Sequence, residues 1–284
     1  MLTDAPRRTR NRSASNKRLT TGQRQKRAAD RGPAEVNRNA NHSREVTTFH
    51  VKNVVAWLLL APVALLTALT LIDLGWRLLS NGHVWRTVEF RWFFIGVMSW
   101  AGTYLLAGLR PVKLYVFGHE SSHWLMAKLS GAKIYGGNYW SAEGGYVETS
   151  KTNTLIALAP YLLPFYSLVV LAGFGLLALF VDLQQPLTFD LAARRFVVPW
   201  ECPLFFLLGG TWAFHITYTV ITLHVTDQSD LARDGELFSL LLIFVTNAAL
   251  ILVVFVLASR DPELGWFKAW QCWLGKMRWL VPGL

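Results

Sequence analysis

The sequence has few charged residues and few cysteines for a chain of 284 residues. Each of these two features excludes some classes of protein. Only 16% of the residues are charged and 52% are hydrophobic, whereas a soluble domain carries about 25% charged residues. The two cysteines, Cys202 and Cys272, form no CxxC motif and no disulfide framework. The composition therefore favours a membrane protein and argues against a small domain held together by disulfides or by thiolate-bound zinc.

The charge that is present is concentrated at the N-terminus. Residues 1–52 contain thirteen Lys or Arg and four acidic residues, a net charge of +9 out of +10 for the whole chain. Residues 1–48 have almost no large apolar side chains, which predicts a disordered basic tail that sets membrane orientation. Attraction to anionic lipid headgroups is the next interpretation. The lack of any aromatic residue before Phe49 argues against nucleic acid as a partner.

Long apolar runs follow the tail, and their lengths are typical of helices that cross a bilayer core of about 30 Å. They predict an all-α polytopic membrane protein with about six transmembrane helices, at residues 54–76, 92–109, 112–129, 154–181, 202–226 and 237–258. No signal peptide is apparent, so the first run is expected to act as an uncleaved anchor. The basic tail predicts a cytoplasmic N-terminus for this multi-pass integral membrane protein in the lipid bilayer.

Two further segments differ from these runs. Residues 131–153 contain two β-prone stretches, Lys133–Tyr135 and Gly145–Thr149, separated by glycine-rich turns, which predicts a β-hairpin or a re-entrant loop. Residues 259–284 carry tryptophans at spacings of three and four, which indicates an amphipathic helix that lies at the membrane interface or packs on the protein. The expected domains are thus the tail at 1–48, a transmembrane domain at 49–258 and the C-terminal helix at 259–284.

The five residues His119-Glu120-Ser121-Ser122-His123 form an HExxH motif inside an apolar run. Residues four apart share one face of a helix, so His119 and His123 can bind the same zinc ion. Glu120 would then lie beside the metal, where it can take a proton from the metal-bound water. The alternative is a polar cluster that joins helices by hydrogen bonds. Ionisable groups inside an apolar helix are costly to bury, which favours the functional interpretation.

A catalytic zinc needs a third protein ligand. The candidates in this sequence are Asp230, Asp234, His215 and His224. The third and fifth predicted spans end on the same side of the membrane, and Asp230 follows the end of the fifth span. Asp230 is therefore the favoured third ligand, Asp234 is the second choice and His215 the third. His215 precedes Asp230 by fifteen residues, about 22 Å along a continuous helix, so the two cannot bind one ion.

The run FGHESSHWLMAKLSGAKI, the glycine-rich segment after it, the span containing LIALAPYLLP and a late acidic residue resemble the site-2 protease family over about residues 112–258. That family consists of intramembrane zinc metallopeptidases. The resemblance implies that His119 and His123 bind zinc, that Glu120 is catalytic, and that an Asp-Gly pair supplies the third ligand. Asp234-Gly235 is the literal match to that pair, whereas Asp230 fits the distance from the span better.

The resemblance implies a membrane-embedded zinc metalloprotease, a hydrolase that cleaves transmembrane or membrane-associated protein substrates. Two other functions are considered. One is a catalytically inactive relative that serves as a membrane binding or scaffold protein, although such a protein would not need Glu120. The other is a proton or metal transporter, although no paired half-repeats are evident. Asn247 is expected either to bind the substrate backbone or to make a helix–helix contact.

Overall fold

The computed structural model describes residues 47–82, 84–191, 194–225, 229–259 and 265–280. The chain divides into two units, residues 1–48 and residues 49–284, and the elements that bear on function belong to the second. The predicted disordered tail lies outside the described residues, except for residues 47 and 48.

The described part of the chain is mostly helical. Its first helix, α1, comprises residues 47–55, the π-helical turn Ala56–Leu60 and the segment Ala61–Asn81. The other helices are α2 (Val88–Leu105), α3 (Val112–Leu129), α4 (Thr154–Leu162), α5 (Phe165–Leu177), α6 (Glu201–Val225), α7 (Ser229–Asp234), α8 (Glu236–Ser259) and α9 (Trp266–Leu280). Two antiparallel ribbons lie between them: β1 (Ile134–Asn138) with β2 (Tyr146–Thr149), and β3 (Leu187–Leu191) with β4 (Arg194–Val198).

Three described helices are long and apolar enough to cross a membrane: Thr47–Ser80, Glu201–His224 and Glu236–Leu257. Helices α4 and α5 together make a fourth candidate, bent by 77°. Helix α3 has the bounds of the predicted third span but carries three charged residues, Lys113, Glu120 and Lys128. Length and composition of the described helices therefore account for three or four of the six predicted spans, as expected for a helical membrane protein.

The bend between α4 and α5 has a local cause in the sequence. Pro164 has no N–H to continue the hydrogen-bond ladder, and a proline pushes the residue before it out of the helical region. Leu163 accordingly has extended backbone angles, φ −108° and ψ 116°. The predicted single span at 154–181 is therefore two helices, and the break leaves the short helix α4 beside the HExxH helix α3.

The predicted hairpin after α3 is present. Strands β1 and β2 pair from Ile134↔Thr149 to Asn138↔Tyr146, with an irregularity between Ile134 and Gly136. The second ribbon, β3–β4, was not predicted from the sequence. At the C-terminus, α9 packs against the end of α1, where Cys272 Sγ donates to Asp73 Oδ2 at 3.1 Å, while Phe267 and Trp270 remain exposed.

Helices α2 and α6 pack closely through glycine. A Cβ atom on Gly96 would lie 2.0 Å from the Phe206 carbonyl oxygen, and one on Gly209 would lie 2.0 Å from the Phe93 carbonyl oxygen. Small residues allow the backbones of two helices to approach each other this closely. Any larger side chain at either position must push the helices apart.

We expect Gly96→Ala to destabilise the folded protein by about 1–3 kcal/mol, because the added methyl group overpacks a contact between two backbones. Gly102→Ala is the matched control on the same helix, since a Cβ there meets nothing within 4 Å. Thermal unfolding of both variants in detergent measures the difference. Equal melting temperatures for the two variants would contradict the close contact of α2 with α6.

Candidate metal centre

Three side chains that can bind a metal converge where α3 meets α7. His119 and His123 on α3 and Asp230 on α7 offer ligand atoms that all lie within 4.8 Å of one another. His123 Nε2 is 3.7 Å from Asp230 Oδ2. Zinc bonds of about 2.0–2.1 Å in tetrahedral geometry place neighbouring ligand atoms roughly 3.4 Å apart. A small contraction of the group would therefore bring all three side chains onto one ion.

Both imidazole rings are held by hydrogen bonds at Nδ1. His123 Nδ1 lies 2.7 Å from the Ile156 carbonyl oxygen, to which it donates as Nδ1–H. His119 Nδ1 lies 3.0 Å from the Tyr115 hydroxyl, which is itself 2.7 Å from Thr222 Oγ1. A chain of bonds in which His119 donates to Tyr115, and Tyr115 donates to Thr222, satisfies all three groups. Both rings then keep Nε2 unprotonated, which is the form that binds a metal.

The sequence of α3 explains how this helix comes so close to its neighbours. Gly118 faces Tyr166, and a Cβ at position 118 would lie 2.7 Å from that ring. The Tyr166 hydroxyl donates to the Leu114 carbonyl oxygen at 2.5 Å. Ser122 Oγ donates to the carbonyl oxygen of Gly118 within the helix. The two serines of the HExxH motif, Ser121 and Ser122, are buried, so the small residues of the motif face protein while the histidines face the site.

Glu120 lies beside the three converging groups rather than among them. Its side chain is buried and is covered by the turn of the β1–β2 hairpin. A Cβ on Gly145 would lie 2.5 Å from Glu120 Cγ and 2.6 Å from the Asn138 carbonyl oxygen. Glycine at position 145 thus allows the hairpin backbone to approach the carboxylate and fix its position.

Glu120 and the three candidate ligands line one cavity of about 580 Å³. Its walls come from α3, from α4, from Thr222 on α6 and from the hairpin at residues 142–147 and Thr149, with Glu143 and Tyr146 among them. The volume lies within the range of sites that hold a small molecule or a short peptide segment. The Glu120 carboxylate thus lies next to the metal-binding group without belonging to it. Activation of a metal-bound water for hydrolysis needs a base in this position.

Asp230 lies between α6 and α8, outside the candidate spans. Burial raises the pKa of its carboxyl group above the usual range, while the His123 ring and Arg233 act in the opposite direction. A cation at this position would favour the ionised form of the carboxyl group. Metal binding and ionisation of the Asp230 carboxyl group would therefore favour each other.

The other predicted ligands lie elsewhere. Asp234 is buried and forms an ion pair with Lys52 of α1. His215 is buried and borders, with His119, a second cavity of about 30 Å³. His224 Nδ1 lies 2.9 Å from the Val220 carbonyl oxygen of its own helix. Among the residues that the structure describes, none of these three belongs to the converging group.

Asn247 makes a helix–helix contact. Its Nδ2 donates to the carbonyl oxygens of Tyr161 on α4 and Ile243 on α8, both at 2.9 Å. Of the two roles expected for Asn247, the geometry matches the packing role.

Sequence reasoning missed the residues that orient the histidines. Tyr115 precedes His119 by four residues, so helical spacing alone could have placed it on the same face as the motif. Thr222 and the Ile156 carbonyl carry no such signal, because their roles depend on the packing of α6 and α4 against α3. Comparison with known protein families, curated proteins and solved structures gives no match, so the case for a metal centre rests on the HExxH motif and the geometry around it.

Proposed function

We propose that this chain is a membrane-embedded zinc metalloprotease that hydrolyses peptide bonds of transmembrane or membrane-associated proteins. The observation that carries the proposal is the convergence of His119, His123 and Asp230 beside Glu120 in one cavity. The resemblance of the HExxH region to the site-2 protease family supports the same function.

The donor set fits zinc better than the other common divalent cations. Two imidazoles and one carboxylate form an ordinary catalytic zinc set with one coordination position left open, whereas calcium and magnesium prefer sets made only of oxygen ligands. The hydrogen bonds at both Nδ1 atoms orient the rings for a metal at Nε2. When bound, zinc would supply a Lewis acid and a water of lowered pKa.

The chain's own residues have distinct roles in the proposed reaction. Glu120 accepts the proton of the attacking water at a carboxylate oxygen and then delivers it to the nitrogen of the leaving amine. Tyr115 and the Ile156 carbonyl keep the two rings in their orientation. The hairpin backbone at Gly145 packs against the Glu120 side chain and keeps its carboxylate beside the cavity.

The six-span topology with a cytoplasmic N-terminus is part of the proposal. Three long apolar helices and the bent pair α4–α5 support it. Helices α2 and α3 would complete the count, with their acidic residues packed against protein and their exposed basic residues, Arg91, Lys113 and Lys128, near helix ends where long side chains reach the interface. Glu89 on α2 is buried, as is Glu120 on α3. Reporter fusions at residue 140, in the hairpin, and at residue 260 test the sidedness. The proposed topology has three crossings between these two sites, so we expect opposite signals, and equal signals would contradict it.

The function is tested with the purified full-length protein in detergent. We expect about one zinc per chain by elemental analysis and cleavage of fluorescein-labelled casein that 1,10-phenanthroline stops and added zinc restores. His119→Ala is expected to lose both the metal and the cleavage. Zinc binding without cleavage would favour the transporter or the scaffold, and a wild-type chain without metal would refute the proposed site.

A further inference from the structure

The third candidate ligand lies on a very short helix. Asp230 belongs to α7, which has only six residues, Ser229–Asp234. A helix of this length has no stability of its own in water, so contacts with the rest of the protein must fix the position of Asp230. Identifying those contacts shows which residues control the geometry of the site.

Two contacts hold α7 against the region around α4. Leu231 is buried in a cluster with residues of α4 and α8, namely Leu158, Tyr161, Leu162 and Ile243. Arg233 Nη2 donates to the carbonyl oxygen of Thr152, just before α4, at 2.7 Å. Leu231 and Arg233 lie one and three residues after Asp230, so both contacts fix the position of the helix and neither uses the Asp230 carboxylate.

The third contact comes from α1, which is far away in sequence. Asp234 pairs with Lys52, and the Lys52 ammonium group also donates to Thr154 Oγ1 at 3.1 Å. The Asp234 side chain is 4% exposed, and a carboxylate this deeply buried needs a partner of opposite charge. Lys52 therefore joins three elements, α1, α7 and the first residue of α4.

The backbone after α7 brings the start of α1 close to this ion pair. Gly235 has φ +93°, a conformation that side chains rarely adopt. A Cβ on Gly235 would lie 3.3 Å from the Phe49 ring and 3.5 Å from Asn53 Oδ1. The first turns of α1 thus pack directly on the turn that ends α7, and Lys52 is held in place over the Phe238 ring at 5.6 Å.

We propose that Lys52 is a positioning residue for the metal centre: by binding Asp234 it sets α7 so that Asp230 faces His123. Asp230 and Asp234 lie one turn apart on α7. A change in the position of Asp234 therefore rotates or tilts the helix and moves Asp230 with it. The start of α1 would then control metal affinity although it contributes no ligand. This inference rests on the proposed function, since it presumes that His119, His123 and Asp230 bind zinc.

The test compares zinc affinity, by competition with a chromophoric chelator, for the wild-type chain and three variants in detergent. Lys52→Met is expected to weaken zinc binding by about tenfold or more, in line with the 10- to 100-fold effects of residues that orient ligands. Lys52→Arg keeps the charge and is expected to restore most of the affinity. Lys276→Met is the matched control, because Lys276 also pairs with an acidic residue of α1, Asp73, at 3.6 Å. Asp73 lies about 31 Å along α1 from Lys52, so this ion pair is far from the metal centre.

A spectroscopic readout separates positioning from general stability. With cobalt in place of zinc, Lys52→Met is expected to change the visible absorption bands, which report ligand geometry, and Lys52→Arg to bring them back. If Lys52→Met does not yield folded protein, Lys52→Gln replaces it, since glutamine removes the charge but keeps a polar group. We expect the same weaker zinc binding and the same change in the cobalt bands for this variant. Wild-type affinity and spectra in the variant that lacks the charge would overturn the positioning role and leave the zinc site intact. A wild-type chain that binds no zinc would overturn both.

Discussion

Replacing Glu120 by glutamine is expected to reduce casein cleavage by about 100-fold or more while leaving one zinc per chain. General base catalysis contributes about 10²–10⁴-fold to such reactions, and an amide cannot accept the proton. Zinc is expected to remain because Glu120 is absent from the converging group of His119, His123 and Asp230. The amide is nearly isosteric with the carboxylate, so it fits beneath the hairpin turn where Gly145 leaves space for the side chain.

The measurements are the initial cleavage rate and the zinc content of the same preparation. Glu148→Gln is the matched control, because Glu148 lies on the exposed side of β2 and does not line the cavity. A Glu120→Gln variant that cleaves casein at the wild-type rate would remove Glu120 from the mechanism. Loss of zinc in that variant would instead assign Glu120 to metal binding.

The helical spacing of the HExxH motif made the two histidines predictable. Positions four apart face the same way in any regular helix, and α3 has the bounds that its apolar run indicated, Val112–Leu129. The hairpin was predictable for a similar reason, because glycine-rich turns between β-prone runs are a local signal. These features depend on neighbours in sequence, which a single sequence reveals directly.

The features that depend on tertiary packing were not predictable in the same way. The span at 154–181 is bent by 77°, and although Pro164 marks the break, only packing selects a bend of this size. The β3–β4 ribbon is a different case, because Leu187–Leu191 reads LTFDL and its alternation of apolar and polar residues is a local strand signal. Asp234 matches the Asp-Gly pair of the site-2 protease family literally, yet its partner is Lys52, 182 residues earlier in the chain. No local pattern indicates an ion pair over that separation.

Asp230 and Asp234 provide the sharpest test of which carboxylate binds the metal. Asp230→Asn is expected to weaken zinc binding by more than about 100-fold, because loss of a direct ligand exceeds the 10- to 100-fold effect of losing a residue that orients one. Asp234→Asn is expected to weaken binding by only about tenfold and to keep one zinc per chain at saturating metal. The physical reason is that Asp234 acts through α7, whereas Asp230 Oδ2 already lies 3.7 Å from His123 Nε2.

Both variants replace a carboxylate by an amide of nearly equal size, so each serves as the control for the other. Zinc affinity is measured by chelator competition, and thermal unfolding in detergent shows whether each variant is folded. A larger loss of affinity for Asp234→Asn than for Asp230→Asn would reverse the assignment. It would mean that α7 turns when metal binds and that Lys52 releases Asp234 to the ion. Gly235, at φ +93°, follows Asp234 directly and is the position where the backbone could turn in that case.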